Sequence, residues 1–218
     1  MHLAKTILGI GLVTTAALST RDASASFIDI GVQGGVSSRT LADVKYKPAF
    51  NFQMHADLAL IPPILMLGAY VSGVPFGGQA YPAAGQGVDA DGVNFRTFGL
   101  RAKLKIPIPG GFTPYGIAGV GLVNASFPDV KIQKCVGQIG CVEKTVPNAN
   151  NYFAEFVIGV GALIKLAGPL HLTLEGAWRP TTGYKNEDYD KAMETQKQPA
   201  PSRTGSSWTF HGGLAISF

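Results

Sequence analysis

The sequence predicts an all-β fold, an eight-stranded antiparallel up-and-down transmembrane β-barrel, from three observations. Apolar side chains alternate with polar or small ones in eight segments of about ten residues between Phe27 and Phe218, the strand signature of a membrane barrel. Their period is a strict two, where a helix needs 3.6. Short connections alternate with long ones. The composition agrees: 15% of 218 residues are charged, 46% are apolar, and there are 28 glycines and 14 prolines. Disorder requires low hydrophobicity and high net charge, and Gly and Pro are costly inside helices. A net charge of +4 is too weak a bias to point to nucleic acid.

Residues 1–25 read as a signal peptide, leaving residues 26–218 as the barrel domain. Lys5 supplies a basic start, Ile7 to Leu18 an apolar core, and Ala23-Ser24-Ala25 a small-residue cleavage site. No Cys follows the apolar stretch, so a lipid anchor there has no support. The longest later apolar tract, Leu58 to Val71, is broken by Pro62-Pro63 and falls short of the ~20 residues of a membrane helix. An exported chain without such a helix still enters a bilayer as a closed barrel, whose backbone groups are all paired between strands.

Segment one, Phe27 to Val36, sets Ile28, Ile30, Val32 and Val36 against Asp29, Gly31, Gln33 and Gly35. Segment two, Phe50 to Leu60, alternates Phe50, Phe52, Met54, Ala56, Leu58 and Leu60 with Asn51, Gln53, His55 and Asp57. Segment three, Ile64 to Val74, puts Leu65, Leu67, Ala69 and Val71 opposite Gly68, Tyr70 and Ser72. Segment four, Asn94 to Ile106, sets Phe98, Leu100, Ala102 and Leu104 against Gly99, Arg101, Lys103 and Lys105. Segment five, Tyr115 to Asn124, has small residues on both faces; its phase is open, with Gly119 and Gly121 placed inward. Segment six, Tyr152 to Leu166, sets Phe156, Ile158, Val160 and Ile164 against Glu155, Gly159, Gly161 and Lys165. Segment seven, Leu170 to Pro180, sets Leu172, Leu174 and Trp178 against His171, Thr173, Glu175 and Arg179. Segment eight, Trp208 to Phe218, sets Trp208, Phe210, Leu214 and Ile216 against Thr209, His211, Gly213 and Ser217.

Pro62-Pro63, Pro107 to Phe112 and Ala167-Gly168-Pro169 are tight turns; Ser37 to Ala49, Pro75 to Val93, Ala125 to Asn151 and Thr181 to Ser207 are long. Short turns on one rim and long loops on the other is the layout of bacterial outer-membrane barrels, and an even strand number brings both ends to the short-turn rim. A soluble barrel of lipocalin type alternates too, with its apolar face inward. Three features favour lipid. The apolar face is crowded with Phe, Trp, Leu and Ile, which would overfill an eight-stranded interior. The other face is rich in Gly, Ser and Thr. Aromatic residues gather at segment ends (Phe27, Phe50, Phe52, Tyr152, Trp178, Trp208, Phe218), as interfacial girdles do.

The terminal run His211-Gly212-Gly213-Leu214-Ala215-Ile216-Ser217-Phe218 resembles the β-signal of outer-membrane proteins, with His211, Gly213, Ile216 and Phe218 at its marked positions. Pro114-Tyr115-Gly116-Ile117-Ala118-Gly119-Val120-Gly121 resembles a strand of OmpA/OmpX-like and OmpW-like barrel domains. The resemblance implies residence in the bacterial outer membrane among lipid and lipopolysaccharide, and assembly by the outer-membrane barrel machinery, which reads the last strand. In residues it covers only these two runs, and neither specifies an activity.

On the inward face Asp29, Asp57, Glu155 and Glu175 meet Arg101, Lys103, Lys105, Lys165 and Arg179. Such a set forms either a selective pore or a paired network plugging a narrow barrel; buried charges need partners, which favours the plug. With Gly168 at the turn centre, Glu155 and Arg179 fall diagonally across neighbouring strands. His55, His171 and His211 also face inward, as hydrogen-bonding groups or as metal ligands, although their spacing shows no convergence. A lipid A-modifying barrel enzyme would need His and Ser within hydrogen-bond reach at a lipid-facing position. The nearest analogue, His171-x-Thr173, lacks the Ser and points inward. Cys135 and Cys141 in the third long loop are a redox or metal pair or, as is more usual for exported cysteines, a disulfide. Glu187 and Lys191, four apart in the fourth long loop, fit one short helix or a solvated charged loop. The expectation is a non-enzymatic monomeric barrel without cofactors, with a structural and surface-interaction role; a conduit for small apolar solutes is the alternative.

Overall fold

The computed structural model describes residues 26–41, 44–46, 48–76, 79–81, 88–90, 93–126, 130–135, 141–146, 150–183 and 204–218. The signal-peptide segment and the Glu187–Lys191 pair lie outside the described residues. Eight long strands run up and down: β1 (Ile28–Leu41), β2 (Ala49–Ile61), β3 (Leu65–Phe76), β4 (Val93–Lys105), β5 (Phe112–Ser126), β6 (Asn150–Ala167), β7 (Leu170–Thr182) and β8 (Thr204–Ser217). Each pairs antiparallel with the next, and β8 pairs back onto β1 from Asp29↔Ser217 to Leu41↔Gly205, closing the sheet on itself. Closure removes the exposed edge that an open sheet would present. The Phe27 N–H donates to the Phe218 carbonyl beside this seam, on the rim that carries the three short turns.

The strands exceed the expected segments mainly at the opposite, long-loop rim. β1 continues past Val36 to Leu41, β5 reaches Ser126, and β8 begins at Thr204. Short ladders stand in three of the long connections: Val44–Lys45 against the end of β1, Gln79–Tyr81 with Val88–Ala90, and Val130–Cys135 with Cys141–Val146.

The strand phase sends the apolar set outward. Val160 is 70% exposed, Leu100 66% and Phe50 63%, while Asp29, Asp57, Glu155 and Lys103 are at most 1% exposed. In β5, Tyr115, Ile117, Val123 and Ala125 are buried and Val120 and Leu122 exposed, so Gly119 and Gly121 lie on the inward side. An apolar belt this continuous is far larger than the patches soluble monomers expose, and a closed barrel is the form in which strands cross a bilayer. Trp178 and Trp208 are cross-strand partners in it, their rings 6.3 Å apart near the long-loop rim.

Size complementarity across strands sets the interior. Gly31 is the partner of His55, Gly99 of Tyr70, and Gly161 of Tyr115. A Cβ at any of these three glycines would overlap the opposing ring. Large inward side chains lie over bare backbone on the next strand, which is how eight strands enclose two tyrosines and a histidine along with the charges.

Candidate functional site

Inward positions along one strand recur every two residues, about 7 Å apart, so Lys105, Lys103 and Arg101 climb β4 as three rungs facing β1, β2 and β7 across the lumen. Lys105 Nζ lies 2.6 Å from Asp29 Oδ2 and donates to Ser26 Oγ at 3.1 Å. Lys103 Nζ bridges Asp29 (3.3 Å) and Asp57 (2.5 Å). Arg101 grips Asp57 bidentately, from Nε at 2.9 Å and Nη2 at 2.8 Å, and donates through Nη1 to Glu175 at 3.2 Å. Gln53 Nε2 donates to Glu175 at 3.1 Å while its carbonyl accepts from Arg179 Nη2 at 2.5 Å. Arg179 reaches Glu155 at 3.2 Å, and the second Glu155 oxygen accepts from Arg39 at 2.6 Å. From Lys105 to Arg39 the groups form one chain of alternating sign, with Gln53 its neutral link.

That chain contains eight of the nine charged residues placed on the inward face from sequence, and it includes the Glu155–Arg179 diagonal. Lys165 does not join it: it keeps the inward phase but stands exposed at the short-turn rim. Sequence reasoning misses Arg39 and Gln53. Arg39 falls in a stretch that reads as a long loop, and Gln53, though inward by alternation, carries no charge to single it out.

Four carboxylates face five cations in the chain, and Arg39 carries the spare positive charge against aromatic faces. Its guanidinium carbon is 4.7 Å from the centroid of Phe95 and 5.8 Å from that of Phe153, a placement in which the ring quadrupole stabilises a cation. Phe95 packs edge-on against Tyr46 and Phe153. With Leu41, Val74, Val93, Val123 and Ala125 these rings form a buried apolar cluster at the long-loop end of the lumen. The lumen therefore has two layers in series, ionic below and apolar above.

The histidines stand apart. His55 Nε2 is 3.9 Å from Asp57, His211 Nδ1 is 4.0 Å from Glu175, and His171 Nδ1 is 3.0 Å from the Pro169 carbonyl. Of the assembly-signal residues, His211 and Gly213 face the lumen, Ile216 faces outward, and Phe218 ends beside the seam. Cys135 and Cys141 are backbone partners closing the Val130–Val146 ladder; their side chains lie outside the described residues.

No family model and no curated protein matches the chain. Solved structures do resemble it. Neisserial surface protein A aligns with a TM-score of 0.61 at 11% identity, over 89% of this chain and 99% of its own. A major outer membrane protein from Thermus thermophilus aligns with a TM-score of 0.51 at 13% identity, over 88% of this chain and 99% of its own. The fold is that of the small outer-membrane barrels. At these identities the likeness concerns architecture, and the lumen chemistry is read from this chain's own residues.

Proposed function

We propose that the protein is a monomeric, non-enzymatic barrel of the bacterial outer membrane that anchors long surface loops and does not conduct. The two-layer lumen carries this reading: an ion following the axis would have to break a continuous chain of ion pairs and then shed its water in the apolar cluster, and charge in a low-dielectric layer is costly. Residues 1–25 address the chain for export. His211, Gly213, Ile216 and Phe218 present the last strand to the assembly machinery, and the outward apolar belt with its Trp pair meets lipid and lipopolysaccharide. No cofactor enters this reading.

Purified barrel reconstituted in planar bilayers tests it. The expected record is the bare-membrane baseline across the usual voltage range. Discrete conductance steps would overturn the closed reading and favour a conduit for small solutes instead.

A further inference from the structure

Below the ionic layer the lumen opens, on the short-turn side, into a cavity of about 590 Å³. Its polar lining is Lys105, Lys165, His171 and the hydroxyls of Ser26, Thr113 and Ser217, and no carboxylate is among its lining residues. Lys105 is already engaged with Asp29 and Ser26. Lys165 makes no ion pair among the described residues, and it is placed by the pairing of its own backbone, whose N–H donates to Gly111 O at 2.7 Å. Lys165 and His171 are cross-strand partners on adjacent strands, so their side chains enter the cavity side by side. An apolar wall is formed by Pro63, Ile108 and Leu163.

We propose that this cavity binds a small organic phosphate monoester, with the phosphate on Lys165 and His171 and the organic part against the apolar wall. The volume lies within the ~300–1,000 Å³ of small-molecule sites and exceeds what a bare anion fills. His171 selects the kind of anion. A carbonyl oxygen only accepts, so Nδ1 must be the donor to Pro169, and Nε2 of the neutral ring is left as an acceptor. An oxyanion that still carries a proton near neutral pH satisfies both Lys165 and Nε2. Phosphate monoesters and inorganic phosphate meet that condition; sulfate and phosphodiesters do not. The site is independent of the anchoring role proposed above.

The test uses the folded barrel in detergent micelles and follows backbone amide shifts by NMR during titration with glycerol phosphate, inorganic phosphate, sulfate and dimethyl phosphate at constant ionic strength. The last has the charge of a lipid phosphodiester and no proton, so it separates a lipid headgroup from a monoester. Saturable shifts at Gly111, Thr113, Lys165 and His171 are expected with glycerol phosphate and, more weakly, with inorganic phosphate. Lys165→Gln should weaken binding about tenfold, the size of one charge-assisted contact, and Lys165→Arg should retain it. Because Lys165 is exposed and forms no ion pair among the described residues, both variants are expected to fold, which heat-modifiable gel migration checks. Shifts that do not saturate, equal affinity for sulfate or dimethyl phosphate, or an unchanged affinity in Lys165→Gln would each overturn the proposal.

Discussion

Glu155 divides its two oxygens between Arg39 on β1 and Arg179 on β7 while fully buried. Removing its charge leaves two buried guanidinium groups facing each other without a counter-charge. Breaking one member of such a set costs ~3–5 kcal/mol, whereas an apolar replacement of the whole set can be near neutral. Glu155→Gln is therefore expected to lower the unfolding free energy in lipid vesicles by that order, as read from urea titration. Arg39→Met in the Glu155→Gln background should recover most of the loss, since the thioether still packs on Phe95 and Phe153. A Glu155→Gln cost of ~0–1 kcal/mol, the value of solvent-screened pairs, would show that water reaches this level from the loop rim.

Among the strands, the inward glycines are the more exacting positions. A Cβ at Gly161 would overlap the Tyr115 ring and stand 2.6 Å from the Leu174 carbonyl oxygen, whereas a Cβ at outward Gly116 meets nothing within 4 Å. Overpacking of this kind costs ~1–3 kcal/mol. Gly161→Ala should be destabilised accordingly and Gly116→Ala should not, a contrast that equilibrium unfolding of the pair measures directly. The Cys135–Cys141 pairing makes a second prediction at this scale: native protein should show no thiol titre until reduced, and reduction should leave barrel migration on gels unchanged, because the bridge would close only a loop ladder. Free thiols in freshly isolated material would count against the disulfide. The strand phase is legible in the sequence because lipid on one side and charge on the other keep the two faces chemically distinct. That contrast fails at the long-loop end, where Leu41, Val93, Phe95, Val123 and Phe153 make the inward face apolar as well. In β1 it fails on the outward face too, where Ser38 and Thr40 stand beside inward Ser37 and Arg39, so the strand reads as stopping at Val36 and Arg39 is lost to a loop. Gln53 shows the complementary limit: period two gives the face of a residue, and only geometry shows that its amide links two charged groups.

For the whole molecule, the outward belt sets the solvent in which the barrel is stable. Leu100 stands 66% exposed in the outward row of β4, midway between the rims. Leu100→Arg places a cation against hydrocarbon and should cost ~2–4 kcal/mol in bilayers, as measured by unfolding in vesicles. Equal stability would place this row in water and overturn the membrane-spanning orientation. The interior raises a separate consequence. Where His55 lies over Gly31, Tyr70 over Gly99 and Tyr115 over Gly161, the volume required belongs to the two positions jointly, and either strand can supply the ring. Trading the partners conserves both the filling and the register while changing two letters of the sequence at once. Such an interior is written in couples, so lineages can rewrite it couple by couple. An architecture shared at 11% identity is what that grammar permits.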